Sequence, residues 1–223
     1  MSKLYVVPTP IGNMEDITLR ALRILKDVEY VLAEDTRTTG NLLKHYDISQ
    51  PLKSYHIHNE HKALDSIVEL IETSDSVALV SDAGTPAISD PGFLLIRECI
   101  RRDIEVICLP GASAIIPAIV GSGFPVDSFV FEGFLPHKKG RQTKWKAIAE
   151  EKRTVVLYES PHRLPKALKE IEEFVGKERR ICVAREISKI HETYHRGTVS
   201  ELIQYFNENK PLGEIVIVIE AMK

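Results

Sequence analysis

The stretch Ser81-Asp82-Ala83-Gly84-Thr85-Pro86-Ala87-Ile88-Ser89-Asp90-Pro91-Gly92 decides how this chain is read. It follows Val77-Ala78-Leu79-Val80, an apolar run with the length and composition of a strand buried in a parallel sheet. It precedes Phe93-Leu94-Leu95-Ile96-Arg97-Glu98-Cys99-Ile100, which reads as a helix lying on that sheet. A plain strand-to-helix connection takes about 2–6 residues. This one has twelve, among them two Gly, two Pro, two Ser, two Asp and a Thr. The extra length falls at the carboxyl end of a strand, where open α/β sheets bind ligands. An ordinary surface loop can share this composition. What sets this one apart is that Gly84 permits close approach to the backbone while Pro86 and Pro91 stiffen the path, so that backbone groups are presented rather than long side chains.

The alternation of strand and helix continues outward from this loop. Strands are predicted at 4–7, 30–33, 54–56, 77–80 and 105–109. Helices are predicted at 16–26, 38–45, 62–72 and 93–100, and again from the Pro110–Ala114 turn to about 120. That order implies a mostly parallel sheet covered on both faces. Gly121-Ser122-Gly123-Phe124-Pro125-Val126-Asp127 is the best domain boundary, giving α/β domains at 1–120 and 121–223. Beyond it, strands at 129–131, 154–158, 181–184 and 215–219 alternate with helices around 144–151, 165–174 and 199–206. An antiparallel strand at 193–196 makes the second sheet mixed. The β-branched run Ile215–Ile219 reads as a central strand.

A chain of 223 residues can bury a proper core. Its net charge of −3 excludes a wholly basic nucleic-acid binder but leaves room for a local basic patch. Cys99, Cys108 and Cys182 form no C-x-x-C pair and suit a reducing, cytoplasmic setting. Cys99 and Cys108 are expected as small buried hydrophobes. No signal peptide is visible, and the apolar runs are well short of the ~20 residues of a membrane helix.

Polar clusters fall where strands finish: Pro8–Asn13, Glu34–Arg37, Ser81–Gly92, Pro110–Ser113, Glu159–Arg163 and Arg185–Lys189. Taken singly each can be capping or turn chemistry. Together they describe a polar-rimmed cleft between two α/β units. No G-x-G-x-x-G or G-x-x-x-x-G-K-[ST] pattern is present, which argues against a pyrophosphate or triphosphate cradle, and no G-x-S-x-G elbow marks a hydrolase. His56, His58 and His61 cluster beside Glu60 but lack a closed zinc pattern; they read as loop or rim residues, and no metal is expected.

Seven segments carry a resemblance: Val6-Val7-Pro8-Thr9-Pro10-Ile11-Gly12-Asn13, Ala33-Glu34-Asp35-Thr36-Arg37, Ser81–Gly92, Leu109-Pro110-Gly111, Phe131-Glu132-Gly133-Phe134-Leu135-Pro136, Tyr158-Glu159-Ser160-Pro161-His162-Arg163 and Ala184-Arg185-Glu186. In this order they resemble the ribosomal RNA small subunit methyltransferase I family of the tetrapyrrole-methylase superfamily, over nearly the whole chain. The resemblance implies S-adenosylmethionine-dependent 2′-O-methylation of a cytidine in 16S rRNA of the 30S subunit. It also implies two α/β domains with the cofactor in the cleft between them, and a homodimer. Many members carry a short helical extension after the second domain; this sequence ends at Lys223, just after the Ile215–Ile219 run. The resemblance places Pro10, Ile11, Gly84, Thr85, Pro86, Ile88, Ser113, Ala114, Tyr158, Arg185, Gly213, Glu214 and Ile215 around the cofactor.

Methyl transfer is an in-line displacement in which positioning supplies up to roughly 7–11 kcal/mol. A ribose hydroxyl must also lose its proton, and a nearby carboxylate or histidine assists. Glu34, Asp35, Glu159 and His162 are the candidate bases, while Arg37 and Arg163 are candidates to hold phosphate or orient a carboxylate. The segment His137-Lys138-Lys139-Gly140-Arg141-Gln142-Thr143-Lys144-Trp145-Lys146 holds five Lys/Arg and no acid. Lys138, Lys139, Arg141 and Lys144 are therefore expected on RNA phosphate, with Trp145 either stacking on a base or lying in the core. Two rival readings remain: a small-molecule, tetrapyrrole-type methyltransferase, and an RNA-binding protein without catalysis.

Overall fold

Within the first unit, β1 (Lys3–Val6), β2 (Tyr30–Ala33), β3 (Leu52–Ser54), β4 (Ser76–Val80) and β5 (Glu105–Cys108) alternate with α1 (Leu19–Asp27), α2 (Thr36–His45), α3 (Glu60–Glu72) and α4 (Phe93–Arg101). The computed structural model describes residues 2–222. All pairings in this sheet are parallel, in the order β3-β2-β4-β1-β5. Its interior strands are apolar beyond their first residues, as in Leu4–Val6 and Val77–Val80, because both faces are covered. Val31, Ala33, Ala78 and Val80 pack with Ala21, Ile24, Leu25 and Leu43 of α1 and α2. Leu32, Val77 and Leu79 pack on the other side with Ile67, Val68, Ile71, Leu95 and Cys99 of α3 and α4. Burial pushes the Cys99 thiol up to about 12. Cys108 departs from expectation: it is exposed, because β5 is an edge strand.

The chain leaves β1 for β2 through α1 on one face, and leaves β4 for β5 through α4 on the other. Since β1 and β4 are neighbours, their connections diverge, and the place between them is a topological switch point where α/β sheets take ligands. The loops after the two strands meet there. Thr9 N–H donates to Gly84 O at 2.9 Å and Gly84 N–H donates to Thr9 O at 3.0 Å. Local departures are small. Met14–Asp16 forms a 3-10 turn, and α1 begins only after Thr18, whose hydroxyl caps Ala21 N–H. The strand expected at 54–56 lies at Leu52–Ser54.

The chain divides into the compact units Met1–Ser113 and Ala114–Lys223. The second comprises α5 (Ile115–Ser122), β6 (Phe129–Phe134), α6 (Arg141–Glu150), β7 (Thr154–Glu159), α7 (Leu164–Phe174), β8 (Arg180–Arg185), β9 (Thr193–Thr198), α8 (Val199–Glu208) and β10 (Ile215–Ile219). Helix α5, placed before the boundary by the sequence reading, groups with this unit. It packs on β8, β9 and β10, Gly121 has no room for a Cβ beside the Tyr194 ring, and the Arg196 Nε–H donates to Gly121 O at 2.8 Å. The sheet runs β6-β7-β10-β8-β9, with only β6 and β7 paired in parallel. Ile215, Ile217 and Ile219 face α6, α7 and α8 through Trp145, Leu168, Ile171 and Leu202. All five residues of β10 are buried, as expected for a central strand covered on both faces.

Candidate functional site

In the first unit the polar residues gather where β1, β2 and β4 end. Gly84 is buried with φ +83°, a conformation that glycine adopts without a Cβ penalty, and a Cβ built there would lie 3.4 Å from Ile11 Cγ2. Thr85 Oγ1 donates to Ala112 O at 3.2 Å, fixing the loop after β4 to the one after β5. Pro86 is buried, Pro10 and Ile11 are half-buried and Ile88 is exposed. Ala87 and Ser89 also hold positive φ (70° and 65°), so the loop is stiffly bent well beyond its glycines.

Three carboxylates converge on this edge. Glu34 follows β2, Asp82 and Asp90 belong to the loop after β4, and Asp35 N–H donates to Asp82 Oδ1 at 3.1 Å. Burial raises the Glu34 pKa, reinforced by the charge of Asp82 and opposed by a backbone hydrogen bond from Asp82. Asp90 is pushed up to about 6, first by burial and then by Glu34, against the hydrogen bond from Ser81. Asp35 behaves differently. It caps α2 by accepting from Arg37 N–H at 2.8 Å and pairs with the Arg37 guanidinium at 2.6 Å, which holds its carboxyl far below the usual range. The two adjacent acids thus shift in opposite directions, Glu34 upward through burial and Asp35 downward through Arg37. Beside them a cavity of about 250 Å³ opens between the Pro8–Asn13 loop, the first turns of α2 and the start of the loop after β4.

In the second unit the register sets Glu159 at the end of β7 and Arg185 at the end of β8 opposite Ile215 at the start of β10. Tyr158, Glu159, Arg185, Gly213, Glu214 and Ile215 thus share one sheet edge. Arg185 is anchored by three of its five guanidinium N–H groups, which donate to Thr193 Oγ1, Leu212 O and His191 O at 3.1–3.3 Å. Glu186 N–H donates to Glu214 O at 2.9 Å, and Glu214 N–H donates to Glu186 Oε1 at 2.8 Å. Gly213, with φ +80°, leaves the space that this carboxylate fills. The Tyr158 ring sits 5.0 Å from Phe131 and 5.4 Å from Phe134, and the Arg163 guanidinium lies 5.9 Å from Phe134, which is 52% exposed. His137 joins this group 3.2 Å from Arg163, a neighbour that the sequence reading left unassigned.

The basic segment divides. Lys138 and Lys139 are exposed, as is His162 beyond β7. Lys144 is exposed but paired with Glu132 at 2.5 Å, where a bulge in β6 turns that carboxylate aside. Arg141 does not fit the expected RNA-facing role. Its side chain is 5% exposed and paired with Glu159 at 3.4 Å and Glu170 at 2.6 Å. Trp145 is core, 1% exposed, its indole N–H donating to Glu170 at 3.0 Å. Glu159 is held from two sides, by Arg141 at 3.4 Å and by Arg163 at 2.7 Å, so its side chain ties the start of α6 and the turn after β7 to the end of β7. The spacing of Arg141, Trp145 and Ile148 at i, i+4 and i+7 was the signal that these share the buried face of α6.

Comparison with known proteins agrees with this architecture. Residues 3–203 match the family model "Tetrapyrrole (Corrin/Porphyrin) Methylases". The chain is 49% identical over 220 residues to the ribosomal RNA small subunit methyltransferase I of Synechocystis, covering 98% of this chain and 79% of that one. It is 49% identical over 221 residues to the protein of that name from Thermotoga maritima, covering 99% of each. The chain belongs to the ribosomal RNA small subunit methyltransferase I family. Among solved structures, a cobalt precorrin-4 methyltransferase of cobalamin biosynthesis superposes with a TM-score of 0.72 at 18% identity, covering 98% of this chain and 94% of that one, which is a likeness of fold. As a member of this family the chain is an S-adenosylmethionine-dependent methyltransferase.

The residues present fit that cofactor. Its adenine, ribose and amino-acid groups call for hydrogen bonds to backbone, and the loop around Gly84 offers backbone without a side chain in the way. Its sulfonium is cationic, and Glu34 and Asp90 supply negative charge at the same sheet edge. Among the described residues, no group of three or more His, Cys, Asp or Glu could hold a metal ion, and no helix is long and apolar enough to cross a membrane.

Proposed function

We propose that this chain methylates the 2′-hydroxyl of a cytidine ribose in 16S rRNA of the small ribosomal subunit, in the cytoplasm and as a homodimer. The observation that carries the reading is 49% identity, over nearly all of the chain, to proteins named for methylation of small-subunit ribosomal RNA, against 18% to a tetrapyrrole enzyme of the same fold. The cofactor supplies an electrophilic methyl group. Pro10, Ile11, Gly84–Pro86, Ile88 and Ser113 of the first unit, with Ala114, Tyr158, Arg185 and Gly213–Ile215 of the second, bind it. Glu34 serves the ribose hydroxyl: partial burial keeps it basic enough to accept a proton, where Asp35 is committed to Arg37. Lys138, Lys139, Arg163 and the exposed face of Arg37 take RNA phosphate, and Phe134 offers an aromatic face for an unstacked base.

The decisive experiment offers labelled cofactor to 30S subunits, free 16S rRNA and a precorrin, then maps the product. Label on one cytidine ribose of the 30S subunit is expected. Label on the precorrin, or tight RNA binding with no transfer to any substrate, overturns the reading.

A further inference from the structure

The cavity beside the β1 and β4 loops has a chemical character of its own. Its walls come from the Pro8–Asn13 loop, α2 and the start of the loop after β4. Two of its hydroxyls are already engaged: Thr9 Oγ1 donates to Ser81 O at 3.0 Å, and Ser81 Oγ donates to Gly84 O at 3.3 Å. Asp82, Asn41, Thr38 and Thr39 remain as the polar side chains of its lining, and Pro10, Met14 and Leu42 provide apolar surface. Asp82 Oδ1 accepts from Asp35 N–H, which fixes the orientation of the carboxylate.

We propose that this cavity seats the cytosine base of the target nucleotide, with Asp82 accepting from the exocyclic amino group and Asn41 and Thr38 donating to O2, an acceptor that cytosine and uracil share. The inference rests on the proposed function and names the part of the substrate held by this one place in the first unit. A carboxylate can only accept, and the amino group is what cytosine offers and uracil lacks. Uracil presents a carbonyl oxygen at the same position, so the anion of Asp82 would repel it. Chemistry on a ribose hydroxyl in folded RNA needs the nucleotide drawn out of its stack, and proteins hold such bases by hydrogen bonds to the exposed edge and contacts to the face. Pro10, Met14 and Leu42 are suited to the face, Asp82 and Asn41 to the edge. Arg37 stands at the start of α2 with its side chain 88% exposed, oriented by Asp35, where the adjacent phosphate would meet a positive charge.

The test measures kcat/KM on reconstituted 30S subunits carrying either cytidine or uridine at the mapped nucleotide. The native chain should prefer cytidine by roughly 5- to 150-fold, the range of one good base-edge contact. Asp82→Asn keeps an oxygen for Asp35 N–H but turns an amide N–H₂ toward the base, so the preference should collapse toward unity or invert. Asn41→Ala should raise KM for both substrates and leave the preference in place. Calorimetric affinity for S-adenosylmethionine should be unchanged in both variants, and a urea melt verifies their folding. An unaltered preference in folded Asp82→Asn overturns the assignment. A large loss of cofactor affinity with preference intact also overturns it and gives the cavity to the cofactor. Failure of the native chain to methylate any 30S subunit instead sinks the proposed function, and is seen before any variant is made.

Discussion

Arg141 and Glu159 form an ion pair at 3.4 Å with side chains only 5% and 3% exposed, tying the start of α6 to the end of β7. Removing one partner of a buried pair strands the other charge and costs about 3–5 kcal/mol. Arg141→Ala should therefore unfold at markedly lower urea, and Glu159→Gln should lose stability in the same direction. Single-turnover methylation by the fraction that remains folded should change little. A variant of Arg141 with native stability and weakened RNA binding would return this residue to the RNA surface.

Lys138 and Lys139 separate from Arg141 in a salt titration. Each genuine phosphate contact adds about −0.7 to −0.9 to the slope of log affinity against log salt. Replacing both lysines with Ala should flatten that slope by about 1.4–1.8 and leave the urea midpoint alone. An unchanged slope would mean that these side chains are merely solvated.

Gly84→Val tests the cofactor edge. The φ of +83° is unfavourable for a β-branched residue by about 1–2 kcal/mol, and the new side chain grows toward Ile11 and the loop surface. Calorimetry should record a loss of S-adenosylmethionine affinity, with far-UV dichroism of a folded protein. Native affinity in the folded variant would move the cofactor off this loop.

Asp90 makes stability depend on pH. Its folded-state pKa of about 6 lies above the unfolded value, because burial and the charges of Glu34 and Asp82 outweigh the Ser81 hydrogen bond. The folded protein therefore binds the proton more tightly. This contribution is complete below about pH 4 and is lost as pH rises toward about 6. Asp90→Asn should accordingly gain up to about 3 kcal/mol over the native chain at about pH 8, and gain nothing near pH 4. Equal urea midpoints at both pH values would show that Asp90 titrates normally.

The sequence by itself determined the alternation of strands and helices, because apolar runs flanked by Gly and Pro are local signals. It also placed the polar clusters at strand ends, since a parallel sheet leaves its loops on one edge. The carboxyl side of β4 was marked as a candidate binding edge by the length of its loop and by Gly84, Pro86 and Pro91 within it, and the Thr9–Gly84 contact at the switch point sits there. Tertiary structure decided which charges are available. Arg141 and Lys144 look alike in the basic segment, yet one points into the core against Glu159 and Glu170 while the other stays at the surface. Asp35 and Glu34 are neighbours in sequence, yet one caps a helix and binds Arg37 while the other is desolvated beside Asp82. The cavity of Thr38, Asn41 and Asp82 was beyond reach for the same reason: its walls join residues from α2 and from the loop after β4, and only the crossover through β2 and β4 brings them together. Backbone pattern is written in near neighbours along the chain, whereas protonation, pairing and cavity shape depend on residues that are distant in sequence and meet only in the fold.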